Sequence, residues 1–445
     1  MLKLMFFLLL VLYGAMMLNS FNVIYFYSIS MVMLMFMLLV FEDSDFLFCK
    51  IYYKFSVFSI SWSLILLSVW ISVCMGVVNQ ILRKSCVRLV YLMLILLSLL
   101  IGFFFSLNLM VFYLFFEMSL LPMFLMVMGW GGSELRYQAG LSMMVYAFFS
   151  SLPFFGLVFM ILYKNGSLDF IIFKLDNILQ GNLLFYILLL MIFLVKLPMF
   201  MMHMWLPKAH VEAPVFGSMM LAGVLLKLGG YGIFIIYLMA EGIYQWVSGS
   251  FILYNLMGGF YISLMCLFQL DLKVLIAYSS VVHMSFMLGG MSTLMEMGMM
   301  GSIMMMIGHG LCSSGLFCLV NYSYDVLNSR SVILNKGLLN LNKSLSLLWF
   351  FLCIFNLGAP LSINFFSEIF LLNGLMKWSG LIFLNLIFLM FFNSCYNFHL
   401  FGYTQHGVSM SMNFYSKVNA IDYLLMFIHI FPLVLLVLMM DVFIF

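Results

Sequence analysis

Glu117, Lys196, Lys227 and Glu368 are the residues of this sequence whose placement asks for chemistry, because each stands inside an otherwise apolar stretch. An ionised side chain at the centre of a bilayer costs about 2.5–3.5 kcal/mol even on the most lenient scale, so buried charges of both signs are read as functional. What an ammonium, a carboxylate and an imidazole share is a transferable proton. Lys196 lies two residues before Pro198, whose ring removes a backbone donor and frees a carbonyl near the lysine, so that water can enter. His203 and His210 follow at successive intervals of seven, and on a continuous helix they would form a narrow relay stripe with Lys196. Glu117 is expected to pair with a lysine. At about 4 Å and an effective dielectric near 20 such a pair is worth about 4 kcal/mol, enough to hold Lys196 charged, and separating the two charges releases the proton. Lys227, in Leu221–Gly230, is flanked by glycines that allow close backbone approach. Glu368 follows a second break, at Pro360, while His283 and His309 supply groups that titrate near neutral pH. Together these residues make a proton wire; singly, each histidine reads equally well as a satisfied core residue, and the charges as a structural ion pair. His399, His406 and His429 lack such a setting and are read as packing or loop residues.

The elements that must position these groups follow from composition. Of 445 residues 66% are hydrophobic and 7% charged, too little polar surface to cover a water-soluble globule. Each span needs about 20 apolar residues, which leaves room for roughly 14 helices. Barrel strands alternate in polarity, whereas Val90–Phe105, Leu183–Val195 and Leu347–Phe355 are apolar on nearly every face, so an all-α polytopic membrane protein is predicted. The candidates fall on predicted helices at 108–129, 183–207, 210–240, 273–291, 297–323 and 345–373. The polar connections, chiefly 42–54, 164–181, 324–343 and 403–420, are too short for a soluble domain, which confines function to the membrane.

Met1–Leu18 has no small-residue cleavage site and reads as the first membrane helix. With 45 Met and 51 Phe against 18 Lys plus Arg, the composition suggests an AT-rich organellar genome in which an extra codon is read as Met. Ten basic residues, Arg83, Lys84, Arg88, Arg136, Lys208, Lys273, Arg330, Lys336, Lys343 and Lys417, lie beside loops that follow odd-numbered helices, which puts those loops on the inner side. The eight Cys have neither iron–sulfur nor zinc spacing, and no glycine-rich phosphate loop follows a strand. Tyr146–Phe154 resembles His309–Phe317 at an offset of 163, and Pro198 maps near Pro360 at an offset of 162, as in transporters built from repeats with interrupted helices.

The stretch from His203 to Gly232, with Asp271–Met284, Gly308–Gly310 and Asn356–Glu368, is similar to the chain 4 family of membrane-arm subunits of respiratory NADH-ubiquinone oxidoreductase, over roughly residues 85 to 400. The resemblance implies two inverted five-helix repeats with broken helices seven and twelve. It divides the chain into N-terminal helices (1–84), a first antiporter-like repeat (85–240), a second (241–402) and a C-terminal loop and helix (403–445). It implies that Glu117 and Lys196 are the coupling ion pair, Lys227 the central lysine, Glu368 the exit-side residue, and His283 and His309 relay positions. NADH, FMN, iron–sulfur clusters and ubiquinone are expected in partner subunits and no cofactor in this chain. Expected partners are other membrane-arm subunits, especially neighbouring antiporter-like chains, and membrane lipids, with no nucleic acid. The expected location is the mitochondrial inner membrane. Two other functions suit the same charged axis: a stand-alone cation/proton antiporter subunit, and a non-transporting scaffold whose charges lock helices together.

Overall fold

A chain this apolar has to satisfy its backbone polar groups within each segment, and helices do so. The computed structural model describes residues 2–17, 20–40, 50–52, 54–81, 87–170, 183–239, 248–408 and 418–440. Among them ten helices are long and apolar enough to cross a membrane, joined by shorter apolar helices that include Leu184–Lys196 and Lys343–Leu357. One feature lies outside the helical expectation: across the end of the polar connection predicted at 42–54, Lys50–Tyr52 pairs antiparallel with Phe55–Val57. Arg83, Lys84 and Lys417, on which the loop-charge bias partly rests, lie outside the described residues.

The chain divides into two compact units, Met1–Lys196 with Glu212–Trp246, and Leu197–Val211 with Val247–Phe445. In the first, Val215–Met239 has 94% of its apolar window buried against 39% for Arg136–Asn165, so the helix that carries Lys227 is at the centre and the other lies at the edge. In the second, the corresponding window of Glu296–Leu327 is wholly buried and that of Leu272–Met291 is 89% buried, against 28% for Ala420–Leu438. Small residues make the second core dense. A Cβ at Gly298 would run into the Gly290 carbonyl, and one at Gly374 would meet the Gly298 backbone. Three helices thus approach backbone to backbone at these glycines, and they are the helices that hold His283, His309 and Glu368.

Prolines decide where the predicted helices end. The segment predicted at 183–207 stops at Lys196 and resumes as a 3-10 turn, Met202–Met204, and a helix, Trp205–Glu212. Pro198 has no N–H to continue the helix and disfavours α geometry at Leu197, and Met201 turns the chain with φ +73°. The connection predicted at 208–209 is therefore helical, and the exposed Lys208 lies mid-helix rather than in a loop. The break comes instead at Pro214, before Val215–Met220. The segment predicted at 345–373 likewise divides into Lys343–Leu357 and Ile363–Trp378. Gly358, φ +80°, closes the first half, with its amide on the Phe355 carbonyl at 3.3 Å and that of Ala359 on Ile354 at 3.1 Å. Ser362 caps the second half by accepting from the Phe365 amide at 3.3 Å. The segment predicted at 108–129 is Leu109–Met118 and Leu120–Trp130, parted at Ser119, where the absent N–H of Pro122 leaves the Met118 carbonyl without its helical donor.

Candidate functional site

In the first unit Lys196 ends the Leu183–Lys196 helix, where orphan carbonyls favour a cation. It is 4% exposed, and its ammonium reaches the Phe116 carbonyl and the Ser119 hydroxyl, each at 3.5 Å, above the Phe116 ring at 3.9 Å from the centroid. Ser119 in turn donates to the Phe116 carbonyl at 2.7 Å. The lysine therefore sits in the parting between two helices, beside the carbonyl that precedes Glu117. Glu117 itself is half-buried, and among the described residues its Oε1 has no hydrogen-bond partner. The expected Glu117–Lys196 ion pair takes a looser form, in which the lysine bonds to Phe116 and Ser119 and feels Glu117 through its field. A hydrogen-bonded pair would lock both charges together; this arrangement lets the carboxylate bias the lysine while staying available to other donors.

Lys227 is fully buried at the start of Leu226–Met239, directly after a π-helical turn, Leu221–Leu225. Such turns widen a helix and leave a carbonyl misaligned. The Lys227 ammonium donates to the Ala222 carbonyl in that turn, so the helix defect and the charge support one another.

The second unit brings three predicted residues into one network. His283 and His309 are 2% and 0% exposed, with ring centroids 5.5 Å apart. His283 Nε2 lies 3.4 Å from the Tyr396 hydroxyl, which donates to Asn393 Oδ1 at 2.5 Å; Asn393 Nδ2 donates to Glu368 Oε1 at 3.5 Å. Glu368 is 3% exposed, and a Cβ on Gly358 would overlap its carboxylate, so the acid lies directly against the broken helix. Asn397 Nδ2 holds Asn393 Oδ1 at 3.2 Å, and Asn356 Nδ2 holds Asn397 Oδ1 at 2.8 Å. Sequence reasoning missed Tyr396, Asn393 and Asn397. The signal was there: they recur at i, i+3 and i+4 on an apolar helix, one polar stripe on one face.

His203 and His210 do not continue the lysine stripe, because the chain leaves the helix after Lys196. Within the second unit His203, 6% exposed, stacks on Phe200 with ring centroids 5.9 Å apart, and His210, fully buried, stacks on Phe317 at 4.6 Å. His429 is buried and bonds the Leu425 carbonyl at 2.9 Å through Nδ1. His399 packs on Tyr403 with ring centroids 4.3 Å apart. Among the described residues no three His, Cys, Asp or Glu side chains converge as a metal site would require.

The family model described as NADH:quinone oxidoreductase/Mrp antiporter, TM, matches residues 106–393. NADH-ubiquinone oxidoreductase chain 4 of Ceratitis capitata is 47% identical over 393 residues, covering 86% of each chain. That of Aedes aegypti is 47% identical over 331 residues, covering 73% of each. Among solved structures, a chain of respiratory complex I from Thermus thermophilus with bound NADH superposes with a TM-score of 0.85 at 20% identity, over 97% of this chain and 94% of that one. A chain of an archaeal membrane-bound sulfane sulfur reductase superposes at 0.84 and 17% identity, over 99% and 95%. These two share the fold.

Proposed function

The chain belongs to the chain 4 family of NADH-ubiquinone oxidoreductase, within the NADH:quinone oxidoreductase/Mrp antiporter proteins, and from that membership we propose that it translocates protons as an antiporter-like membrane-arm subunit of respiratory complex I. The observation that carries this reading is burial: Lys196, Lys227, His283, His309 and Glu368 are each at most 4% exposed inside apolar helices. Titratable groups persist at such depth where protons use them.

As part of the NADH:ubiquinone reductase, the chain contributes no redox step of its own; NADH, FMN, iron–sulfur clusters and ubiquinone belong to partner subunits. Redox work there perturbs Glu117 and with it the charge state of Lys196. Protons then pass by Lys227 and His309 to Glu368 for release, with His203, His210 and His283 as relay groups. Moving one charge against the membrane potential takes about 2.3 kcal/mol per 100 mV, within the range of a field like that of Glu117 acting on Lys196 in a poorly screened interior. The mitochondrial inner membrane is the site of this work, with neighbouring antiporter-like chains and lipids around it.

About 14 helices in two inverted five-helix repeats, 85–240 and 241–402, with the seventh and twelfth broken, is the finer architecture we infer. The breaks after Lys196 and Leu357, each beside a proline and each next to a buried charge, support it. In reconstituted complex, Lys196→Ala and Glu117→Gln are expected to cut proton translocation while assembly persists. Undiminished pumping by both would remove the role assigned to the pair.

A further inference from the structure

Between His283 and Glu368 stand two residues that the route above does not use, Tyr396 and Asn393. They lie one turn apart on the Phe383–Gln405 helix and are 0% and 2% exposed. The Tyr396 hydroxyl hydrogen is committed to Asn393 Oδ1, so the contact at 3.4 Å requires His283 to donate from Nε2. The Asn393 amide then donates onward to Glu368 Oε1 at 3.5 Å. Every donor in this string points from His283 toward Glu368.

The two intermediate groups differ in what they can pass. A hydroxyl takes a proton on its oxygen and releases its own, unchanged in charge. A carboxamide accepts on oxygen and donates from nitrogen, and conducts nothing unless it becomes the imidic acid tautomer. The string therefore conducts as far as Tyr396 and stops at Asn393. We propose that Tyr396 carries the proton between His283 and Glu368, and that the Asn393 amide is the gate that keeps the two sides from conducting continuously.

The hop occurs when the amide is displaced. The N–H bond of a His283 imidazolium breaks as its proton bonds the Tyr396 oxygen, and the Tyr396 O–H bond breaks as that proton bonds the Glu368 carboxylate. The histidine and the acid end neutral, and the tyrosine is neutral before and after. The gate is also tied to the helix break. Asn397 holds Asn393 at 3.2 Å, and Asn356, two residues before Gly358, holds Asn397 at 2.8 Å, so movement of the break pulls on the amide.

This inference rests on the proton-translocating reading, and its test separates the two. Inner-membrane vesicles with assembled complex would be assayed for protons moved per NADH and for passive proton leak without NADH. Tyr396→Phe is expected to lower pumping severalfold. Asn393→Asp, which puts a group that passes protons on either oxygen in place of the amide, is expected to raise the leak, whereas Asn393→Leu does not; a merely structural role would not distinguish these two. Pumping intact in Tyr396→Phe but lost in Lys196→Ala overturns the carrier alone. Pumping intact in both overturns the underlying reading, and the carrier with it. A leak in Asn393→Asp no greater than in Asn393→Leu overturns the gate.

Discussion

Lys227 and Ala222 are five residues apart and joined, ammonium to carbonyl, across the π-turn of Leu221–Leu225. A fully buried ammonium is thus solvated by a defect in its own helix. A hydrogen bond from a charged donor contributes about 1.5–3 kcal/mol, so Lys227→Met is expected to lower proton translocation by roughly tenfold or more and to speed amide hydrogen exchange across residues 221–225. Lys227→Gln keeps a donor and is expected to retain the turn without the transport; wild-type pumping in that variant would deny the lysine its proton role.

Glu117 and Lys196 communicate by field rather than by a shared hydrogen bond. A unit charge beyond bonding reach, at an effective dielectric near 20, still exerts about 1–3 kcal/mol. A double-mutant cycle on translocation rates with Glu117→Gln and Lys196→Gln is expected to show coupling of that order, and strictly additive effects would mean that the two act independently. Ser119→Ala, which removes one neutral acceptor, is expected to cost about 1 kcal/mol.

Gly358 combines a left-handed backbone, φ +80°, with a position where any Cβ meets the Glu368 carboxylate. Gly358→Ala is thus strained in two ways and is expected to destabilise the protein by about 1–3 kcal/mol. Thermal denaturation of the detergent-solubilised complex checks this, and a transition unmoved by the substitution would show that the break relaxes without cost.

Glu212, 6% exposed, receives the Ser133 amide at 3.1 Å and the Ser133 hydroxyl at 2.8 Å. Two charge-assisted bonds anchor the turn before Arg136. Glu212→Gln is expected to weaken that anchor by about 1.5–3 kcal/mol and to raise protease cleavage at residues 131–136, with Ser133→Ala intermediate. Equal resistance in all three proteins would leave the carboxylate without a structural role.

Lys196→Ala and Glu117→Gln test the function, and the variants above test its parts. All of them probe residues whose surroundings differ in how far they were legible beforehand. The helices, the breaks at Pro198 and Pro360, and the isolation of Glu117, Lys196, Lys227 and Glu368 in apolar sequence are local properties. Hydrophobic length and a missing backbone N–H act within a few residues. The extent of Trp205–Glu212 is less local, since it depends on Pro207 lying in the first turn, where proline is tolerated, and on Pro214 ending the segment.

What tertiary structure alone decided is who touches whom. Tyr396 meets His283 across 113 positions of sequence, and Asn393 meets Glu368 across 25. Lys196 bonds Phe116 and Ser119, 80 and 77 positions away, rather than Glu117 beside them. The amino-acid order alone dictated that charges would be stranded in membrane helices and that two of those helices would fracture, near Pro198 and Pro360, though not the partings at Ser119 and Pro214. It left open which way each helix face turns, because rotation is set by how glycine-lined surfaces such as Gly290, Gly298 and Gly374 close against one another, and that closure is a property of the packed helices together.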